Sequence, residues 1–348
     1  MKPEDIFSRV VDNAFDFLEK ALTEFEKEPK YSVINFHAAV ELFLKARLMR
    51  EHWSLVVSKP ESADWKKFLA GDFHSVTIKD AKARLDSIAQ DGLTPEQFDS
   101  FMKLAGHRNR MVHFFHHGQH DNEKELQKIV AEQCRAWYYL NRLLSYQWAE
   151  KFTAHQKQVS KFDGEMLKFR QYLKAKYDDQ ITHIDAMIQE GIAFRACPSC
   201  GFEALKEDRS DEPLLDYNCI VCGLSRAGLA VECPQCDKEI LLIGEAYGEC
   251  LSCNYEISAG EVKDKFVGSH YSMDEGGIAH CSECGSEESV VSVSSTKWLC
   301  MECFTPFDQD EINQCEWCSE YSTGNLEDSY LSGCMACDGR LGWDNDKD

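Results

Sequence analysis

Sixteen of the chain's 17 cysteines fall into eight C-x-x-C pairs, and every pair lies after residue 196. Nothing else in the 348 residues limits the fold as tightly. Taken in order, the pairs couple as Cys197 and Cys200 with Cys219 and Cys222, then Cys233 and Cys236 with Cys250 and Cys253. Cys281 and Cys284 follow with Cys300 and Cys303, and Cys315 and Cys318 with Cys334 and Cys337. The gaps within the couples are 18, 13, 15 and 15 residues. Two C-x-x-C pairs at such a separation make a tetrahedral four-thiolate site, the signature of structural zinc. An aromatic shortly precedes each second pair: Tyr217, Tyr247, Trp298 and Tyr330. The spacing predicts one small β-hairpin module used four times, over 195–228, 229–262, 277–308 and 311–343. A module of this size cannot fold on apolar burial alone, so bound Zn²⁺ supplies its stability. Iron–sulfur and thiol-redox readings stay open, but eight paired knuckles favour four structural zinc ions. Four-thiolate closure leaves no open position for catalysis.

The N-terminus, "MKPEDIFSRV", is charged, and no apolar run behind it resembles a secretory signal or a membrane span. A soluble, cytoplasmic protein is expected, with reduced thiols that bind metal rather than a disulfide framework.

Charge separates the two halves. Residues 1–194 carry 28 Lys+Arg against 29 Asp+Glu, and residues 195–348 carry 10 against 31. The cysteine-rich half therefore holds −21 of the chain's −22. Each four-thiolate zinc centre adds about −2 more. Long-range repulsion of phosphate argues against RNA binding by the ribbons, although a local basic spot such as Arg195 stays open. Three roles remain for the array: docking a basic protein partner, covering and restraining a site elsewhere in the chain, or serving as a solvated acidic rod.

Before residue 193 apolar residues recur at helical spacing. Ile6, Val10, Phe15 and Leu18 predict a first helix, and "YSVINFHAAVELFLKARLMREHW" a second. "TPEQFDSFMKLAG" opens with a capping box, Thr94 as N-cap, Pro95 at N1 and Gln97 at N3, and Gly106 is read as an interruption. "ELQKIVAEQCRAWYYLNRLLSYQWAEKF" predicts one long helix with Cys134 as a buried, inert thiol. Phe162 to Ile192 predict one long amphipathic helix over 157–194 after a bundle over 1–156, its seam packing on the bundle or on a second copy. The fold class expected is multi-domain: an all-α bundle followed by small β zinc-ribbon modules.

"LAGHRNRMVHFF", residues 104–115, places Arg108, Asn109 and His113 beside Met111 and Val112. On a regular helix Arg108 falls amid the apolar stripe, where an unpaired cation is costly. Asn109, His113 and His116 share the other side. Either the helix starts near Arg108, giving an anion site at its free N–H groups, or the stripe faces a partner subunit. Arg, Asn and His are also the kit for cleaving RNA through its own 2′-hydroxyl. Arg neutralises the phosphate, Asn orients, and His moves a proton. Base and acid are needed at once, which two copies of the motif across a dimer would provide. On spacing alone a structural reading leads: His113 as a core histidine and Arg108 paired with a carboxylate such as Glu41.

The segment nonetheless resembles the signature of the HEPN superfamily, whose ribonucleases and toxins carry R-x4–6-H, usually with Asn after the Arg. "KYSVINFHAAVELFLKARL" resembles that family's early helix, with Ala39, Glu41, Leu44, Lys45 and Ala46 on its A-x-E-x-x-L-K-A pattern. The resemblance covers roughly residues 1–150. It implies a helical bundle that forms a homodimer, with Arg108, Asn109 and His113 in a metal-independent RNase cleft. It also implies RNA as substrate and a setting in bacterial stress response or anti-phage defence. Some family toxins carry a modifiable Tyr two residues after the His. Here Phe115 stands there, which excludes control by nucleotide transfer onto that position. His116, His117 and His120 suggest a metal site by composition, but in such a family they read as a loop cluster or an RNA contact. The rival reading is a non-enzymatic adaptor that dimerises and recruits a protein.

Overall fold

The computed structural model describes residues 2–113, 123–267 and 277–345. It divides into two compact units, Met1–Gln180 and Ile181–Asp348. The first is helical. The second is strand-rich and carries four cysteine clusters. No helix among the described residues is long and apolar enough to cross a membrane.

In the first unit, α1 (Pro3–Glu24) starts with Pro at its first turn and Asp5 accepting from the Lys2 backbone N–H at 2.9 Å. It buries Phe7, Val11, Ala14, Phe15, Leu18 and Ala21 at steps of three and four. The second helix, α2 (Pro29–Met49), is apolar on nearly all sides and is the central rod. Phe43 of α2 meets Phe15 edge-on at 5.1 Å, and Phe36 stacks on Trp137 at 5.3 Å. Between α2 and the next long helix lie α3 (Trp65–Ala70) and α4 (Ile78–Arg84). Arg47, buried, is paired with Asp91 at 2.7 Å and Glu51 at 2.7 Å, which offsets the cost of its charge.

Two helix-forming segments sit against α2: α5 (Pro95–His113) and α6 (Glu123–Arg142). The capping box at the start of α5 is present. Thr94 N–H donates to Gln97 Oε1 at 2.9 Å, and Gln97 N–H to Thr94 Oγ1 at 3.3 Å. Gly106 does not interrupt α5, which runs unbroken through Arg108 to His113. The helix therefore has no free N–H groups at Arg108, and of the two alternatives for that residue the helix-start anion site does not form.

Two expected long helices are each broken. The helix expected over residues 125–152 ends at Arg142 and gives way to a π-turn (Leu143–Gln147) and two short 3₁₀ turns. The turn lets Trp148 donate to Asp91 O at 3.3 Å and Phe152 pack on Phe7 at 5.6 Å. Burial of both rings compensates, and Gln156 Nε2 donates to Leu144 O at 3.0 Å. The helix expected over 157–194 is two: α7 (Gln156–Met166) and α8 (Arg170–Gln189). Phe169 at the break packs on Phe25 at 4.7 Å, and the buried Tyr172 hydroxyl turns back to Asp163. Cys134 is fully buried within α6, as expected, and burial pushes its thiol up to about 12.

The second unit does not consist of four separate beads. Strands β1 (Phe194–Ala196), β2 (Glu203–Asp208), β3 (Leu214–Cys219), β4 (Ser225–Glu232) and β5 (Glu239–Ile243) form one antiparallel sheet in chain order. The expected boundary between residues 228 and 229 runs through the middle of β4, which pairs with β3 at its start and with β5 along its second half. A small ladder of β6 (Gly248–Glu249) and β7 (Glu256–Ile257) precedes α9 (Ala259–Phe266). A second sheet follows, built of β8 (Ile278–Ala279), β9 (Val290–Ser292), β10 (Lys297–Cys300) and β11 (Pro306–Asp308). The last elements among the described residues are the pair β12 (Ile312–Gln314) and β13 (Tyr321–Thr323), then α10 (Ser329–Ser332) and α11 (Gly339–Asn345). His280 beside β8 bonds β13 twice, its N–H to Tyr321 O at 2.9 Å and its carbonyl to Thr323 N–H at 3.0 Å. Leu214 of the first expected module, Leu229, Val231, Leu242 and Ile257 of the second, and Val291 and Leu299 of the third share one apolar core.

Candidate functional site

The sixteen paired cysteines gather into four groups, in the order the spacing predicts. Within each group all four Sγ atoms lie within 4.8 Å of one another. Cross-pair distances include 3.6 Å for Cys197–Cys222, 3.6 Å for Cys236–Cys250, 3.8 Å for Cys284–Cys300 and 3.6 Å for Cys318–Cys334. A tetrahedron of thiolates around an ion with metal–sulfur bonds of about 2.3 Å has edges of ~3.8 Å. A disulfide would need about 2.05 Å. The donor sets thus fit a tetrahedral metal ion and do not fit disulfides.

Seven of the eight knuckles are built alike. The N–H of the residue after the second cysteine donates to the carbonyl of the first, as in Gly201 to Cys197 at 2.7 Å and Asn254 to Cys250 at 2.8 Å. The first cysteine's own N–H donates to the residue one step further on, as in Cys233 to Lys238 at 2.8 Å. That turn requires a left-handed residue after the second cysteine. Gly201, Gly223, Asp237, Asn254, Gly285, Phe304 and Ser319 occupy it, with φ between 57° and 76°. Gly, Asn and Asp after C-x-x-C were the sequence signal for this turn, and the sequence reading passed over it. The eighth knuckle differs. Cys334 and Cys337 lie between α10 and α11, joined by Cys337 N–H to Cys334 O at 3.2 Å. The fourth expected ribbon therefore has one knuckle of the common kind and one bridged turn set between two short helices. Nor do the four aromatics play one role: Tyr217 and Trp298 are buried, while Tyr247 and Tyr330 are exposed.

Two arginines of this unit serve its own carboxylates. Arg195 Nε lies 2.6 Å from Glu207, and Arg209 bonds Glu207, Glu212 and Glu239. Burial alone would raise the Glu207 carboxyl. The bonds from Arg195, Arg209 and Tyr217 outweigh it and hold Glu207 below the usual carboxylate range. Arg195, open on sequence grounds as a local basic spot, is committed to this network.

In the helical unit, Arg108 is half-buried, and Asn109 and His113 are exposed at the C-terminal end of α5. The Arg108 Nη1 donates to Asn109 Oδ1 at 2.9 Å. Glu41 is within ion-pair distance of Lys45, at 3.7 Å, rather than of Arg108. Met111 is buried, but Val112, expected beside it on the apolar stripe, is exposed. The buried histidine of the segment is His107. Its Nε2 lies 2.5 Å from Glu132 of α6, and its Nδ1 accepts from Arg110 at 2.8 Å.

On α2, His37, Glu41 and Lys45 recur one turn apart at each step. Burial holds the His37 imidazole below its usual range. Glu41 opposes that shift, while Arg108 and Lys45 add to it. His37 therefore feels the charge of Arg108, and no motif had marked it. Its signal was the i, i+4, i+8 spacing with Glu41 and Lys45. Phe115, His116, His117 and His120 lie outside the described residues.

Comparison of this chain with protein-family models, with curated proteins and with solved structures returns no match.

Proposed function

We propose that the helical unit is an HEPN-type, metal-independent endoribonuclease that acts as a homodimer, and that the four thiolate clusters hold structural Zn²⁺. The observation that carries the first part is the end of α5, where Asn109 and His113 are exposed and Asn109 holds the Arg108 guanidinium by a hydrogen bond. A fork of positive charge held by a neighbour suits a phosphodiester, and an exposed imidazole suits proton transfer. Arg108 stabilises the phosphorane, Asn109 orients Arg108, and His113 transfers the proton. Cleavage by the RNA's own 2′-hydroxyl leaves a 2′,3′-cyclic phosphate and a 5′-hydroxyl. The proposed setting is bacterial stress response or anti-phage defence.

Zinc is favoured because four sulfurs at tetrahedral spacing, in a closed set, match its structural sites. The net charge of −21 over residues 195–348 supports a second reading, in which the cysteine-rich part docks a basic protein partner or restrains the nuclease. In its extreme form the whole chain is then a non-enzymatic adaptor.

The test is cleavage of total RNA in buffer without added divalent metal, with zinc left in place. The full chain, Arg108→Ala and His113→Ala are compared, and product ends are read chemically. Cleavage by the unmutated chain that both variants lose supports the nuclease. Cleavage that persists in His113→Ala, or none in the unmutated chain, favours the adaptor.

A further inference from the structure

A cavity of about 380 Å³ opens in the helical unit. Ile6 and Val10 of α1, Leu42 and Met49 of α2, and Phe68 and Phe73 form its apolar wall. Leu42, Lys45 and Met49 recur at three- and four-residue steps, so one stripe of α2 provides its floor. Two cations also line it, Arg9 and Lys45. No acidic side chain is among its lining residues, in a chain with 60 acidic residues against 38 basic ones.

Neither cation is held by a hydrogen bond to another described residue. Arg9 is exposed and makes no hydrogen bond or ion pair with another described residue. Lys45 is only 14% exposed, and its pair with Glu41 is long, at 3.7 Å. A half-buried ammonium beside an apolar wall has lost hydration that this distant carboxylate only partly replaces. Apolar pockets with a few converging polar groups, at this size, are the usual form of small-molecule sites.

We propose that this cavity binds a small amphipathic anion, an apolar chain or ring lying between α1, α2 and α3 with its carboxylate or sulfate at Arg9 and Lys45. The apolar wall takes the body, the two cations take the head, and the missing acids leave nothing to repel it. Lys45 also pairs with Glu41, so an occupant competes with Glu41 for the same ammonium.

Calorimetry on the full chain tests this with three probes of one tail length: decanoate, decanol and decyltrimethylammonium, each below its micelle concentration. Decanoate is expected to bind at least ten-fold more tightly than decanol, and the cation not at all. Arg9→Gln should weaken decanoate several-fold and leave decanol unchanged. Ser75→Trp, at an exposed position on the cavity's rim, should block both while the helical circular dichroism stays intact. Absence of decanoate binding, equal binding of the three probes, or unchanged decanoate binding in both variants overturns the proposal. No RNA is present in this measurement, so its failure leaves the nuclease reading untouched, and the reverse also holds.

Discussion

His107 and Glu132 join α5 to α6 through a 2.5 Å contact between Nε2 and Oε2. Arginine can only donate, so the bond from Arg110 makes Nδ1 the acceptor and leaves the proton on Nε2, aimed at Glu132. The histidine that the fold has sealed in is thus a fastener between helices, and His113, five residues on, is the exposed one. Glu132→Ala leaves a buried N–H without its acceptor and should cost about 1–3 kcal/mol, with Glu132→Gln milder. His113→Ala, at an exposed helix end, should shift stability by less than about 0.5 kcal/mol. Urea unfolding followed by circular dichroism separates them. Equal losses in Glu132→Ala and His113→Ala would contradict this division of roles.

The metal clusters should bind four zinc ions per chain, measured by elemental analysis of protein purified without added zinc. They should also depend on one another. Cys233 and Cys250 of the second cluster pack in the apolar core that carries Leu214 of the first module and Val291 of the third. Cys250→Ser should therefore retain fewer than three zinc ions under a mild chelator that leaves the unmutated chain loaded. Retention of three, released at the unmutated rate, would show that the sites act as independent beads.

Gly228 lies on β4 where the Tyr217 ring crosses from β3. A Cβ there would stand 2.3 Å from Tyr217 Cε2 and 3.2 Å from the Leu242 carbonyl. Tyr217 is fully buried and donates to Glu207 at 3.1 Å, so it cannot retreat without giving up that bond. Gly228→Ala should destabilise the sheet by about 1–3 kcal/mol, the usual cost of overpacking. Near-ultraviolet circular dichroism on denaturant titration would show it, and a neutral result would mean that the ring has room to move.

Local chemistry was legible in the sequence, and tertiary compensation was not. The Thr94–Gln97 box and the pairing order of the cysteines depend on residues close in the chain, so spacing was enough to read them. The breaks at Leu143 and Leu167 depend on what Trp148, Phe152 and Tyr172 meet elsewhere, and an unbroken apolar period gives no sign of that. The shared strand β4 escaped notice for a similar reason. Each C-x-x-C couple reads as self-contained, whereas β4 pairs with strands of both neighbours. At Arg108 the period placed the cation on the apolar stripe, and the structure leaves it half-buried with its guanidinium on Asn109. Helical angle alone does not say where a long side chain ends.

Acid should weaken the helical unit, through His155. Its ring stacks on Phe15 at 6.1 Å and meets Phe7 edge-on at 6.2 Å, and its buried Nδ1 has no hydrogen-bond partner. Burial holds its pKa below the ordinary value, Asp12 opposing and Arg50 adding to the shift. His37 is shifted the same way, again by burial first. In the unfolded chain both titrate near 6.5. As pH falls below that value the unfolded chain takes up protons that the folded chain still refuses. Stability is therefore full above about pH 6.5 and declines as pH falls toward the folded values. Carboxylate titration lies lower, so the window from pH 7.5 to 5.5 reports on the histidines. The thermal midpoint of the 222 nm signal should fall across that window, and less steeply in His155→Phe, which keeps the aromatic stack without the proton. A midpoint that is flat in the unmutated chain, or that falls equally in the variant, would place the acid sensitivity elsewhere.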